Sequence, residues 1–183
     1  MQGTASLVCR IFIAATVSGP MPILASDQPA QAEVLRARAS AYPGDDPEVA
    51  GFNLRFDLRL TNKSEKVFHL PNPTIGEAPT TQFVVIGVES KGPDGAWIAV
   101  MEGTWYGPNE ITHQACGSLL PGRVADIRGM ASRVVLPKKS FDDLGREPVL
   151  RLKLWLFCRE PDGTVPIKLL TTNAFKLRLP VQP

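Results

Sequence analysis

The clearest pattern in the chain is a strict alternation of apolar and polar residues over positions 52–61. Phe52, Leu54, Phe56, Leu58 and Leu60 share one parity, and polar residues fill the other. Successive side chains of a β-strand point to opposite faces of the sheet, whereas a helix would scatter these five residues around its circumference. The pattern therefore predicts a long strand with one buried face, which needs a second apolar sheet face packed against it.

A second alternation predicts another long strand at 149–158. Its inward residues are Leu150, Leu152, Leu154, Leu156 and Cys158. Residues 81–89 are apolar on both parities and rich in β-branched side chains, which is typical of a central strand. A turn at Pro93-Asp94-Gly95 then leads into a return strand at 96–100.

Weaker segments complete the predicted set of elements. Residues 33–42 form a strand whose inward side chains are Leu35, Ala37, Ala39 and Ala41. The turn at 62–65 predicts a hairpin that pairs 52–61 with a short strand at 66–70. Residues 101–118 lack periodicity and are expected to be irregular. Further short strands are expected at 124–128, 133–136, 165–170 and 174–179, with a helical turn at 138–145 capped by Ser140.

Roughly 8–10 short strands separated by turn residues predict an all-β protein. The expected architecture is an immunoglobulin-like or fibronectin-like antiparallel β-sandwich, with a small barrel or jelly roll as the alternative. Seventeen prolines and fifteen glycines fit many tight turns. A βαβ fold is excluded because the chain has no long helical pattern.

Composition changes this picture only by narrowing the function classes. The 183 residues are 44% hydrophobic and 21% charged, as in an ordinary globular protein, and the formal net charge is +2. Nucleic acid is not expected as a partner, because domains that bind it usually carry a clustered basic surface. We interpret Arg55, Arg59, Arg151 and Lys153, which are spread along strands, as parts of solvated sheet faces.

Residues 1–26 have the features of a secretory signal peptide. Arg10 precedes an apolar run at 11–17, and small residues follow, so cleavage is expected after Ala25 or Ala32. The alternative is a disordered cytosolic tail. A membrane span is not expected, because charge and proline interrupt the run. The remaining residues, 27–183, are expected to form a single secreted or periplasmic domain.

The cysteines agree with export. Removal of the leader takes Cys9 and leaves Cys116 and Cys158, which predicts one disulfide, with two free buried thiols as the alternative. Cys158 ends a predicted strand, and Cys116 lies in the irregular segment, which can move to meet it.

Catalytic and metal-binding patterns are missing from the sequence. The chain contains no GxSxG motif, and the HxxC spacing of His113 and Cys116 lacks the paired ligands of known zinc sites. No catalytic residue, metal or cofactor is therefore predicted. Asn62-Lys63-Ser64 matches a glycosylation sequon, although a hairpin turn explains the same residues.

The predicted binding site is the irregular segment 101–118. Trp105 and Tyr106 lie between glycines in an aperiodic loop that also carries His113. Exposed loop aromatics are enriched at binding sites, so these three residues are the candidate contacts. The alternative is that Trp105 packs down as a plug over one end of the fold.

Three motifs occur in an order that is typical of one protein family. Leu58–Ser64 places an asparagine turn after an alternating strand, Asp94–Trp97 follows, and Leu120-Pro121-Gly122 precedes a short strand. Over roughly residues 50–130 this order resembles the bacterial intracellular proteinase inhibitor family and related immunoglobulin-like bacterial domains. The resemblance implies a small β-sandwich and, for some members, inhibition of subtilisin-type proteases. The predicted leader, the cysteine pair and the 101–118 insertion depart from that family.

These observations lead to one expected function and two alternatives. We expect an exported, non-catalytic binding module whose partner is an unidentified protein or envelope ligand, because the loops are the surface that the core leaves free. A protease inhibitor is the first alternative, and an enzyme of unknown class is the second.

Overall fold

The computed structural model describes residues 28–42, 46–71, 83–102, 115–164 and 167–181. Within these ranges the protein is all-β, with antiparallel sheets and one short helix. The elements in chain order are β1 (Ala30–Ala41), β2 (Val49–Asn62), β3 (Phe68–Pro71), β4 (Phe83–Lys91), β5 (Trp97–Glu102), β6 (Cys116–Leu119), β7 (Val124–Pro137), α1 (Lys138–Asp143), β8 (Val149–Phe157), β9 (Ile167–Thr171) and β10 (Phe175–Lys176).

The first alternating segment is the middle strand of a three-stranded sheet. β2 pairs antiparallel with β1 along one edge and with β7 along the other. Phe52, Leu54, Leu58 and Leu60 are completely buried, as the alternation predicts. We call this the β2 sheet.

The second alternating segment organises a five-stranded sheet. β8 pairs with β4, and β4 pairs with β5, which ends that side of the sheet. The other edge of β8 is shared by β9 and β10. β4 is a central strand, as its apolar composition predicts. We call this the β8 sheet.

The inward faces of the two sheets form a single apolar core. Both sheets contribute completely buried side chains, among them Phe52, Leu54, Leu58 and Leu60 from β2, and Leu150, Leu152, Leu154 and Leu156 from β8. Removing a leucine or phenylalanine side chain from water stabilises a fold by roughly 1.5–3 kcal/mol. The two strands found by periodicity therefore supply the largest share of the core.

The predicted hairpin between 52–61 and 66–70 is wrong. Both edges of β2 are occupied by β1 and β7, so β3 pairs instead with β6 in a separate two-stranded sheet. The Asn62 side chain holds the chain where it leaves β2 for β3. Its Nδ2 donates to the backbone oxygens of Lys66 and Leu119, both at 2.8 Å. Asn62 is only 1% exposed. The sequon residue is thus buried and hydrogen-bonded in the folded protein.

Two bulges make β1 and β7 differ from the strands predicted from sequence. In β1 the register shifts between Val34 and Arg36, which leaves Leu35 39% exposed instead of in the core. In β7 the two predicted strands are one, because a bulge at Gly129 lets the chain continue. Gly129 has φ +71°, a left-handed conformation that favours glycine, and its N–H donates to Asp57 Oδ1 at 3.0 Å.

Two smaller expectations also need correction. Ser140 does not cap the helix: α1 begins at Lys138, its N-cap position is Pro137, and no side chain caps it. The segment 101–118 is not irregular at its ends, since β5 runs to Glu102 and β6 begins at Cys116. No helix in the described ranges is long and apolar enough to cross a membrane.

Candidate functional site

The aromatic site predicted from sequence falls in a part of the chain that the structure does not describe. Trp105, Tyr106 and His113 all lie between Glu102 and Ala115, outside the described residues. Their role in binding therefore stays a prediction.

The predicted disulfide is present. Cys116 and Cys158 are bonded, with their Cα atoms 5.0 Å apart. The Cys116 N–H donates to the Arg159 carbonyl at 2.8 Å, and Ala115 bridges to Arg159 in parallel. The bond thus joins the start of β6 to the end of β8 across a sequence separation of 42. On the chain-entropy model a loop of this size stabilises the fold by about 4 kcal/mol.

The other histidine of the chain, His69, lies on β3. Its Nδ1 is buried and has no hydrogen-bond partner among the described residues. Cys116 is occupied by the disulfide, and within the described ranges no three side chains of His, Cys, Asp or Glu come together as a metal site would require.

The structure places an open groove at the other end of β8 from the disulfide. One wall is the β4–β5 hairpin, and the other is α1 with the loop that follows it. The groove has a volume of about 640 Å³, within the usual range of ligand sites. We call it the hairpin groove. It is lined by Ser90, Lys91, Gly92, Pro93, Ile98, Ala99, Val100, Ser140, Asp143, Leu144, Glu147, Pro148 and Val149.

The hairpin wall is held by its turn. The Gly92 N–H donates to the Ala96 carbonyl at 2.7 Å, and Asp94 Oδ1 accepts from the Ala96 N–H at 3.0 Å. Gly95 has φ +85°, which a side chain would disfavour. The Pro93-Asp94-Gly95 sequence therefore sets a tight turn, as predicted, and holds Ile98 beside the groove.

The helix wall is anchored through the core. Phe141 is buried, and its ring lies 6.4 Å from that of Phe52, measured between centroids. With Phe141 fixed inward, the neighbouring Ser140, Asp143 and Leu144 line the groove. Gly145, at φ +70°, then turns the chain away from the helix.

The chemistry of the groove combines an apolar floor with an acidic rim. Ile98 is 56% exposed, and Val100 and Leu144 extend the apolar surface of the groove. Asp143 and Glu147 are exposed on the helix side, while Lys91 is exposed on the hairpin side. The groove therefore suits an apolar group that lies next to a positive charge.

A partly buried ion-pair cluster links β4 and β8 next to the groove. Glu89 is 8% exposed on β4 and binds two cations of β8, Arg151 through Nε and Lys153 through Nζ at 2.8 Å. The Arg151 guanidinium carbon also lies 4.3 Å from the centroid of the Trp97 ring on β5. These contacts tie three adjacent strands together.

The ionisation of Glu89 reflects two opposing effects. Burial by itself raises the pKa of Glu89, but hydrogen bonds from Lys153 and Arg151 and their positive charges outweigh it. The net result is a pKa below the ordinary value of 4.5, so the carboxylate is charged at neutral pH.

Sequence reasoning missed the hairpin groove. Ile98 lies in a short strand that is apolar on both parities, and nothing local distinguishes an exposed isoleucine there from a buried one. The acidic residues 143 and 147 lie near the helical turn that was predicted, but the hairpin that faces them is about 50 residues earlier in the chain. Only the packing of α1 beside that hairpin creates the site.

Comparisons with known proteins add no argument about function. No protein-family model and no curated protein matches the chain. Among solved structures, the X-ray structure of the Northeast Structural Genomics Consortium target SoR45 is similar at 11% identity with a TM-score of 0.35, covering 84% of this chain and 89% of the other. A protein from Archaeoglobus fulgidus is similar at 8% identity with a TM-score of 0.30, covering 82% of this chain and 100% of the other.

Proposed function

We propose that the protein is an exported, non-catalytic binding module on an immunoglobulin-like β-sandwich. The strand order supports this fold: β1-β2-β7 in one sheet and β8-β4-β5 with β9 and β10 in the other follow the two-sheet arrangement of such domains. The chain also changes sheets between β2 and β4, between β5 and β7, and between β7 and β8.

The disulfide supports export. Structural disulfides persist in oxidising compartments and are rare in the cytosol of most organisms. The Cys116–Cys158 bond agrees with the signal peptide expected at 1–26, which lies outside the described residues. A secreted or periplasmic location is therefore part of the proposal.

The hairpin groove is the observation that carries the proposed binding function. It is a partly open groove between the β4–β5 hairpin and α1, which a peptide segment can enter. Ile98 and Leu144 offer an apolar contact, and Asp143 and Glu147 attract a cation beside it. The proposed ligand is a protein segment that presents an apolar side chain next to lysine or arginine.

Binding is tested with two labelled octapeptides of glycine and serine. One carries a central leucine–lysine pair and the other a leucine–glutamate pair, and fluorescence anisotropy measures their affinity for the full chain. The leucine–lysine peptide should bind more tightly. Ile98→Ser should raise its Kd by about tenfold, because burying a leucine against isoleucine is worth about 1.5 kcal/mol or more.

Two variants make this test specific. Leu120→Ser is the matched control, since Leu120 is 52% exposed but lies outside the groove, and it should leave binding unchanged. Glu147→Gln should reduce the preference for lysine over glutamate. Equal binding of both peptides, or no saturable binding at millimolar concentration, contradicts the proposed ligand class.

A further inference from the structure

The outer face of the β2 sheet carries arginines in an arrangement that the core does not require. Arg38 on β1 lies directly opposite Arg55 on β2. Directly opposed residues of an antiparallel pair have Cβ atoms about 5 Å apart, and like charges in that position destabilise the sheet. A third arginine, Arg133, lies on β7 opposite Asn53, in the row next to Arg55.

These three arginines have no anionic partner within the described part of the chain. Arg59, on the same strand and face as Arg55, pairs with Asp126 through two hydrogen bonds of 2.8 and 2.9 Å. No such ion pair is formed there by Arg38, Arg55 or Arg133.

Other charges on this face do not neutralise the arginines. Asp57 lies opposite a fourth arginine, Arg36, and its Oδ1 accepts the Gly129 N–H. The face therefore has four cations around one carboxylate over these rows.

A concavity lies between two of the arginines. It has a volume of about 370 Å³ and is lined by Ser40, Asn53, Leu54, Arg55, Ala131, Ser132 and Arg133. Its depth follows from the register: small Ala131 lies opposite Arg55, and Arg133 lies one row further along. Diagonal neighbours across such a pair are about 7–8 Å apart, which leaves room for one small anion between two guanidinium groups.

One of the arginines is already held in place. The Arg133 guanidinium carbon lies 4.7 Å from the centroid of the Tyr42 ring, a stacking contact that orders the side chain before any ligand binds. Guanidinium groups match tetrahedral oxyanions because their planar N–H donors reach two oxygens at once. Ser40, which lies opposite Asn53 on the same face, adds a hydroxyl group at the edge of the concavity.

We propose that Arg38, Arg55 and Arg133 form a binding site for a phosphate-class oxyanion on the outer face of the β2 sheet. This site shares no residue with the hairpin groove, so the two proposals succeed or fail independently. The anion accepts hydrogen bonds from the guanidinium groups of Arg55 and Arg133. Its negative charge also reduces the repulsion between Arg38 and Arg55. Its source is either a soluble phosphate-bearing ligand or the headgroup of an anionic lipid.

Side-chain NMR tests the site directly. Inorganic phosphate is added to the full chain at constant ionic strength, and the arginine Nε–Hε signals are followed. We expect the signals of Arg55 and Arg133 to shift saturably and that of Arg59 to stay in place, since Arg59 is paired. Arg55→Gln should raise the Kd for phosphate by about tenfold or more, because one charge-assisted hydrogen-bonding group is lost.

Matched variants separate a specific site from general charge. Arg59→Gln removes the same charge from the same strand and should leave the phosphate Kd unchanged. Arg55→Lys keeps the charge but loses the planar guanidinium group that reaches two oxygens at once, so an intermediate Kd for phosphate is expected. Shifts that do not saturate, or that persist unchanged in the Arg55→Gln/Arg133→Gln double variant, overturn the proposal.

Vesicle sedimentation then identifies the source of the anion. Phosphatidylcholine vesicles are compared with vesicles that also contain phosphatidylglycerol. Sedimentation that requires phosphatidylglycerol and is lost in Arg55→Gln assigns the site to a lipid headgroup. Saturable phosphate binding without sedimentation assigns it to a soluble ligand. Saturable phosphate shifts are required in both cases, and their absence overturns the site.

Discussion

The outer faces of the two sheets hold their cations in two different ways. On the β8 sheet, Arg151 and Lys153 share the carboxylate of Glu89, and Arg151 also stacks on Trp97. Both of these cations have Glu89, on the neighbouring strand β4, as their partner. These side chains are part of what holds β8, β4 and β5 together.

On the β2 sheet, Arg59 is paired with Asp126, but Arg55 faces a like charge. Arg55 lies opposite Arg38, with the small Ala131 on its other side. A paired cation contributes to the stability of its sheet, whereas opposed cations lower it and leave donors for a ligand. The sequence interpretation that treated Arg55, Arg59, Arg151 and Lys153 alike, as parts of solvated faces, therefore merged three different environments.

Removing the carboxylate that Arg151 and Lys153 share should give the largest change in stability. Glu89→Gln leaves Arg151 and Lys153 without a counter-charge in a half-buried setting, and we expect a loss of about 2 kcal/mol in the free energy of unfolding. Urea denaturation measures it. Glu65→Gln is the control, because Glu65 is exposed and forms no ion pair among the described residues. A loss no larger than that of the control contradicts the structural role of Glu89.

The same carboxylate should give the β8 sheet an acid-sensitive contribution to stability. The pKa of Glu89 is lower in the folded protein than its ordinary value of 4.5, so the unfolded chain binds its proton first as pH falls. The stabilisation is therefore complete above about pH 4.5 and is lost as pH falls below that value through the folded pKa. Thermal unfolding from pH 7 to pH 3 should show a shallower decline in Tm for Glu89→Gln than for the native chain. Parallel curves would show that other carboxylates dominate.

The smallest expected change in the free energy of unfolding comes from removing one of the opposed arginines on the β2 sheet. Arg55→Gln relieves the repulsion from Arg38, so without phosphate the free energy of unfolding should stay unchanged or rise by a few tenths of a kcal/mol. Urea denaturation in chloride buffer measures this change. A clear destabilisation would mean that Arg55 has a structural partner and that the two faces do not differ as described.

Much of the fold could be predicted because burial of one strand face produces an alternating pattern of apolar and polar residues in the local sequence. The alternation at 52–61 and 149–158 predicted the two strands that supply the largest share of the core, and Pro93-Asp94-Gly95 predicted the hairpin turn. The disulfide agrees with the pairing predicted for the two cysteines that lie outside the expected leader. In each case the deciding residues are close together in sequence or few in number.

The failures have a common physical cause. The hairpin at 62–65 was a reasonable expectation, but it required a free edge on β2, and β7 occupies that edge from more than 60 residues away. Leu35 left the core because of a bulge that alternation cannot reveal. Edge occupancy and bulges depend on the whole sheet, so neighbouring residues do not determine them.

The sequence by itself therefore determined the two long strands at 52–61 and 149–158, which of their sides face the core, and the turn at Pro93-Asp94-Gly95. Only the tertiary structure decided which strands lie beside one another. That choice gave Arg151 a carboxylate 62 residues away and placed Arg55 against another arginine. Burial is decided residue by residue through hydrophobic transfer, whereas a charge acquires its partner from the register of a neighbouring strand, which only the packing of the complete core determines.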